Sequence, residues 1–294
     1  MRKGLVCAVL SACCFGLLPI LGKLGFAHGL DSTRMLQYRF VIGALLLAAW
    51  FAATRREALR ISPAGLLKTA LLGGLISPVQ STCFMLSLET IPAATTSLIL
   101  YFYPAVVTLL GALIHRQRIG RRVGLSLVLV TAGCALVFLD AFMREVALAG
   151  VLWACVSMAV FSVYMLLVQR LMRGERPLTF SLYVIFFAAL AFTLLRGLPD
   201  PGSVTPAQAG VALALGLVPT VLALTLLYTA IEAVGSAYAS IFSTMEPVTT
   251  VAAAALLLGE PVFARQLAGA ALIVAGIVLP NLALLRRQAR VAPG

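Results

Sequence analysis

GGLISPVQSTCFMLSLETIPAATTSLILYFYP (73–104) returns later in the chain as GLVPTVLALTLLYTAIEAVGSAYASIFSTMEP (216–247). A shift of 143 positions lays Gly73 on Gly216, Thr82 on Thr225, Glu89 on Glu232, Ser97 on Ser240 and Pro104 on Pro247. The correspondence runs without a gap to 136 and 279, through Ala112/Ala255, Leu113/Leu256, Arg122/Arg265 and Gly133/Gly276. Upstream, a shift of 146 matches Gly4/Gly150, Ala8/Ala154, Ser11/Ser157, Phe15/Phe161 and Leu21/Leu167. The three-residue difference is one short indel inside a copy. Two copies, 1–146 and 147–294, account for nearly the whole chain. A period this long is wrong for a solenoid and right for half of a transporter.

Composition fixes the solvent. Hydrophobic residues make up 62% of the chain and charged residues 11%; mean hydropathy is +1.05. Soluble domains carry roughly 25% charged residues, so the chain reads as an integral membrane protein. A bilayer-crossing helix needs roughly 20 apolar residues. Ten such stretches are legible, at 4–26, 34–53, 64–87, 93–114, 122–139, 147–168, 179–198, 207–229, 235–258 and 264–285. Their connections are short and leave no room for a soluble catalytic domain. The first stretch follows Met1, Arg2 and Lys3 like a signal peptide, but its counterpart at 147–168 is internal, so it reads as a retained helix.

The net charge of +12 does not point to nucleic acid, because the cations alternate along the chain. With the N-terminus cytoplasmic, sixteen Lys and Arg fall in inside segments: Arg2, Lys3, Arg55, Arg56, Arg60, Lys68, Arg116, Arg118, Arg121, Arg122, Arg170, Arg173, Arg176, Arg286, Arg287 and Arg290. Four fall outside: Arg34, Arg144, Arg196 and Arg265. That bias places both termini in the cytoplasm. It also inverts the second copy. Five spans per copy is an odd number, and each connection that is basic in one copy is bare in the other. The connection after helix four holds Arg116, Arg118, Arg121 and Arg122, whereas its equivalent holds Glu260 and Arg265. The expected fold is therefore all-α and integral to the membrane, with ten transmembrane helices arranged as two inverted five-helix repeats. Neither a channel nor an intramembrane transferase needs such a duplication. A transferase also needs a convergent polar set, and the two histidines, His28 and His115, are scattered.

Ionisable groups inside a bilayer are expensive, at roughly 2.5–3.5 kcal/mol on insertion scales, and usually functional. Glu246 sits midway along the ninth span, directly before Pro247. A carboxyl there can bind a substrate amine or carry a coupling proton; the alternative is a structural pairing. Pro104 and Pro247 occupy matching positions, and each frees a backbone carbonyl four residues earlier. Paired helix breaks at equal depth point to a central site. Around them lie Thr95, Thr96, Ser97, Tyr101 and Tyr103, then Ser240, Ser243 and Thr244. Ser97, Tyr101 and Pro104 share one helical face. Gln80, Tyr164 and Tyr228 are candidates to complete a pocket. Tyrosine faces suit flat or cationic ligands, while packing and interfacial placement are the competing explanation. Lys23 reads as snorkelling to the headgroups. Arg39 lies deeper; either cation can meet a substrate carboxylate or an acid of the facing half. Pro78 and Pro219 predict further kinks, and Pro19 and Pro280 simple bends. Glu89 and Glu232 read as helix-end hydrogen-bond partners. Gly269 and Gly276, seven apart, mark an interhelical or dimer contact. The six cysteines behave as small hydrophobes; no metal site, disulfide or cofactor is expected.

Four stretches carry a family likeness: FGLLPILGKLGF (15–26), QYRFVIGALLL (37–47), STMEPVTTVAAAALLLGEPV (243–262) and QLAGAALIVAGIVL (266–279). With them the chain resembles the drug/metabolite transporter superfamily, EamA type, over essentially its full length. It departs from that pattern at HRQRIGRR (115–122), where the usual acid closing helix four is missing. The resemblance implies a bacterial inner-membrane secondary carrier, often an exporter of amino acids, of derivatives such as metallophores, or of amphipathic compounds. The expected partners are a small solute, the lipid bilayer and protons, with no nucleic acid, in a monomer or homodimer. An importer of a vitamin or nucleoside-like solute is the alternative.

Overall fold

The computed structural model describes residues 2–103, 106–107, 109–110, 121–143, 146–171, 174–234 and 245–291. The described residues fold into helices from end to end, with no strand among them. The first span is built of α1 (Arg2–Gly16) and α2 (Leu18–Ala27), which meet at Leu17. Pro19 stands in the first turn of α2, where its missing N–H costs nothing. The Asp31 carboxylate then caps α3 (Ser32–Thr54) by accepting from the Arg34 amide at 2.8 Å.

The third span, Pro63–Thr90, is one apolar run of 28 residues. It comprises α4 (Pro63–Leu71), a widened π turn (Leu72–Ile76) and α5 (Ser77–Thr90). The eighth repeats this design with α10 (Pro206–Gly216), a π turn (Leu217–Leu222) and α11 (Ala223–Val234). These turns take up the kinks expected at Pro78 and Pro219. Pro219 frees the carbonyl of Leu215, and the Thr220 hydroxyl donates to that carbonyl at 2.9 Å.

Between and beyond these lie α6 (Ala93–Leu100), α7 (Arg121–Met143), α8 (Leu148–Leu171) and α9 (Pro177–Arg196). The chain closes with α12 (Met245–Leu258) and α13 (Ala264–Val291). Among the described residues, six helical runs are long and apolar enough to cross a membrane, and shorter apolar helices accompany them. Leucines such as Leu67, Leu194 and Leu256 are broadly exposed on the bundle's surface, as a lipid-facing exterior requires.

Helix pairing follows the duplication in sequence. α1 lies against α11, and α5 lies against α8. α3 pairs with α9, and α7 with α13. Lipid offers no hydrophobic drive between helices, so small residues and hydroxyls make these contacts. A Cβ on Gly216 would stand 2.7 Å from Ile42 of α3. One on Gly73, its sequence equivalent, would run into the main chain of Val184 in α9. Gly133 backs onto the carbonyl of Gly269, which gives Gly269 the interhelical contact expected of it. One core joins both copies, with Phe40 of α3 stacked on Phe192 of α9 at 5.8 Å.

Candidate functional site

The end of α1 meets the start of α12 closely. A Cβ on Gly16, the last residue of α1, would lie 2.8 Å from the Glu246 carbonyl oxygen. Thr250 donates to the carbonyl of Gly16 at 2.9 Å, and so satisfies the end of α1 from α12. Thr249 donates to Met245 O at 2.9 Å. These contacts fix the first turn of α12, which carries the half-buried Glu246 and the buried Pro247.

The fourth span ends its regular helix at Leu100, the residue whose carbonyl Pro104 would clash with. Tyr101 follows in a turn, only 5% exposed. Its hydroxyl is enclosed and reaches full hydrogen-bond geometry with no described residue. The Glu246 carboxyl lies near that hydroxyl and acts on it electrostatically. Tyr103 feels the same carboxyl. From there a line of rings crosses to α8. Tyr101 and Tyr103 stand 6.3 Å apart, Tyr103 meets Phe161 edge-on at 4.8 Å, and Phe161 stacks on Tyr164 at 6.0 Å. The structure thus gathers Glu246, Tyr101, Tyr103 and Tyr164 into one neighbourhood between the two copies. Phe161 belongs to it too, and its only sequence signal was the match to Phe15.

Other candidates are engaged elsewhere. Gln80 donates to Ser157 Oγ at 3.0 Å and serves the α5–α8 contact. Ser97 is buried one turn before Tyr101; Thr96 pairs with Ser87 at 3.0 Å, and Thr95 accepts from Gln266 at 3.4 Å. Arg39 meets a hydroxyl of the facing half, not an acid: its Nε donates to Thr220 Oγ1 at 3.1 Å. Its guanidinium also lies 5.0 Å from the Phe40 ring centroid. Arg39 therefore reinforces the hydroxyl that satisfies the carbonyl freed by Pro219. Lys23 is drawn by the Glu260 carboxylate, an acid of the facing half, as one of its two readings from sequence allowed. The Glu89 carboxylate accepts from Ser32 Oγ, in keeping with a helix-end role. Pro104, Ser240, Ser243 and Thr244, and the side chains of Tyr228 and Glu232, lie outside the described residues.

An apolar cavity of about 360 Å³ lies between Leu75, Ile76, Val79, Ala159, Val160 and Val163. It offers no polar group. Among the described residues no cluster of His, Cys, Asp and Glu is arranged to hold a metal.

A multi-pass bundle of apolar helices with leucines exposed on its outside is a membrane protein. The chain belongs to the EamA-like transporter family, whose model matches residues 2–139 and 148–282. It is 28% identical over 245 residues to the uncharacterized transporter YwfM of Bacillus subtilis, covering 82% of this chain and 81% of that one. It is also 28% identical over 288 residues to the uncharacterized protein PA1977 of Pseudomonas aeruginosa, covering 93% and 96%. A solved crystal structure at 19% identity superposes with a TM-score of 0.68, over 98% of this chain and 99% of its own. That likeness is one of fold.

Proposed function

We propose that this protein is a bacterial inner-membrane secondary transporter that exports a small metabolite by alternating access, driven by proton exchange at Glu246. Ten spans, in inverted repeats over 1–146 and 147–294 with both termini cytoplasmic, form its frame. The carrying observation is the meeting of Glu246, at the start of α12, with Tyr101 and Tyr103, just past the end of α6. A carboxylate flanked by aromatic faces suits a solute bearing an amine. The same carboxyl, when protonated, releases such a cation, so that proton and solute alternate on one group. An amino acid or an amino-acid derivative fits this description; a vitamin or nucleoside-like solute moving inward is the second reading.

Matched contacts support the repeat. Ser11 donates to the Ala223 carbonyl at 2.7 Å. Ser157 donates to the Gln80 carbonyl at 3.2 Å. Shifts of 146 and 143 carry the first pair onto the second. The pairing of Gly73 with α9 and of Gly216 with α3 repeats the relation. The test is reconstitution into proteoliposomes loaded with a labelled amino-acid mixture, under an imposed pH gradient. Release driven by the gradient, and lost in Glu246→Gln, is expected. Release indifferent to both removes the proton reading.

A further inference from the structure

Glu260 joins the two copies at a helix start that lacks a cap of its own. α6 opens after Pro92, which provides no side-chain acceptor, so its first amides need one from elsewhere. Glu260 supplies it from the other half. Its Oε1 accepts from the Ala93 amide at 2.8 Å and its Oε2 from the Ala94 amide at 3.2 Å. A carboxylate at the positive end of a helix, taking two charge-assisted bonds, is the favoured arrangement. The chain aims it by ending α12 through Gly259 at φ +65° and closing the Glu260 amide onto Ala254 O at 3.1 Å. Lys23 of the first span is attracted by the same carboxylate. At the foot of α13, Gln266 reaches Thr95 at 3.4 Å. First, fourth, ninth and tenth spans thus converge at one end of the seam.

Elsewhere the copies are pinned at both ends. Around α3 and α9, Asp31 pairs with Arg196 at 2.8 Å and Gln37 donates to Gly197 O at 2.7 Å on one face. On the opposite face Tyr183 donates to Leu59 O at 2.7 Å, and Ser62 to Glu175. α3 and α9 are thus tied near both ends, whereas the start of α6 is tied to the other copy by the Glu260 carboxylate.

We infer that Glu260 is a gate latch. It closes the solute path on the face of Asp31 and Arg196 by holding the start of α6 to the end of α12. That face opens only when both amide contacts release. Glu260 acts by positioning α6 and touches no solute. The inference rests on the alternating-access reading above.

The test uses the full chain in sealed membranes, with a probe thiol introduced by Thr95→Cys, a site 2% exposed behind the latch. Labelling by a membrane-impermeant maleimide is timed with and without Glu260→Ala. Loss of a charge-assisted hydrogen-bond pair shifts the open population by about tenfold or more, and the labelling rate should rise accordingly, from the Asp31 face alone. Glu260→Asp, which keeps the charge, should restore most of the protection. The native Cys83, buried in α5, should keep its reactivity throughout. Unchanged labelling, or an equal rise at Cys83 or from both faces, overturns the latch. A wild-type chain that moves no solute fails the transport reading separately, because labelling is scored without solute.

Discussion

Ser157 and Gln80 hold each other twice: the Ser157 hydroxyl donates to the Gln80 carbonyl at 3.2 Å while Gln80 Nε2 donates to Ser157 Oγ at 3.0 Å. Their sequence equivalents, Ser11 and Ala223, keep only the first of these bonds, at 2.7 Å. Ser11→Ala should therefore cost about 0.6 kcal/mol, the usual value of one interhelical bond in a membrane bundle. Ser157→Ala should cost more, about 1–2 kcal/mol, because it also strands a side-chain amide. Unfolding of the detergent-solubilised protein checks the order; equal losses would show that the Gln80 side chain contributes nothing to the α5–α8 contact.

Glu246→Gln retains the shape and hydrogen-bonding atoms of the side chain and removes its exchangeable proton. Gradient-driven flux should fall by about tenfold or more, and exchange of solute against solute should fall with it, because the same carboxylate holds the amine. Tyr101→Phe removes the enclosed hydroxyl beside that carboxyl. It should alter the pH dependence of flux and leave thermal stability close to that of the parent, since the hydroxyl has no full hydrogen bond to lose. Exchange that persists while driven flux is lost in Glu246→Gln would leave the carboxyl a proton carrier and remove it from solute binding.

The sequence carried the all-helical membrane fold and the transporter family, because hydropathy and the family-like stretches are written in residue type. It did not settle the roles of Arg39, Gln80 or Lys23. Each is decided by a partner on the opposite copy, Thr220, Ser157 and Glu260, at separations that no local period encodes. Phe161 was invisible for a related reason: one more apolar residue in an apolar span has no signature until its ring meets Tyr103. The π turns were legible only as prolines. A kink can be inferred from Pro219, whereas the hydroxyl that repairs it cannot.

Asp31 provides a titration outside the membrane spans. Burial pushes its carboxyl up, but the Thr33 hydroxyl, the Arg34 amide and the Arg196 guanidinium together pull it below its ordinary 3.8. A depressed folded value means that the stabilisation is fully present above pH 3.8 and drains away as pH falls through the folded value. Asp31→Asn preserves the helix cap and removes the charge. Wild type should exceed this variant in stability by a constant margin at neutral pH, with the margin vanishing in acid below the ordinary carboxylate range. A gap independent of pH would remove Arg196 from the account.

Neighbouring glycines should part company. A Cβ at Gly73 meets the Val184 backbone, which cannot yield without moving α9, whereas nothing lies within 4 Å of one at Gly74. Gly73→Ala should destabilise by about 1–3 kcal/mol through overpacking. Gly74→Ala should be neutral or gain up to about 1 kcal/mol from helix propensity. Comparable effects at the two sites would mean that the third and seventh spans are not in close backbone contact.

The Thr220 hydroxyl stands between two groups that otherwise lack a partner: it donates to the Leu215 carbonyl at 2.9 Å and accepts from Arg39 Nε at 3.1 Å. Thr220→Val keeps the shape and removes both bonds. A carbonyl and a guanidinium N–H would then be unsatisfied inside the bundle, at a cost of about 1–3 kcal/mol each before relaxation. Thr220→Ser should behave as wild type, although it forfeits the methyl that packs against Gly43. Arg39→Met removes one of the two dependants and should make Thr220→Val less damaging in its background, a positive coupling that a double-mutant cycle reads directly. Additive losses would separate Arg39 from the Pro219 kink and return it to the candidates for binding a substrate carboxylate.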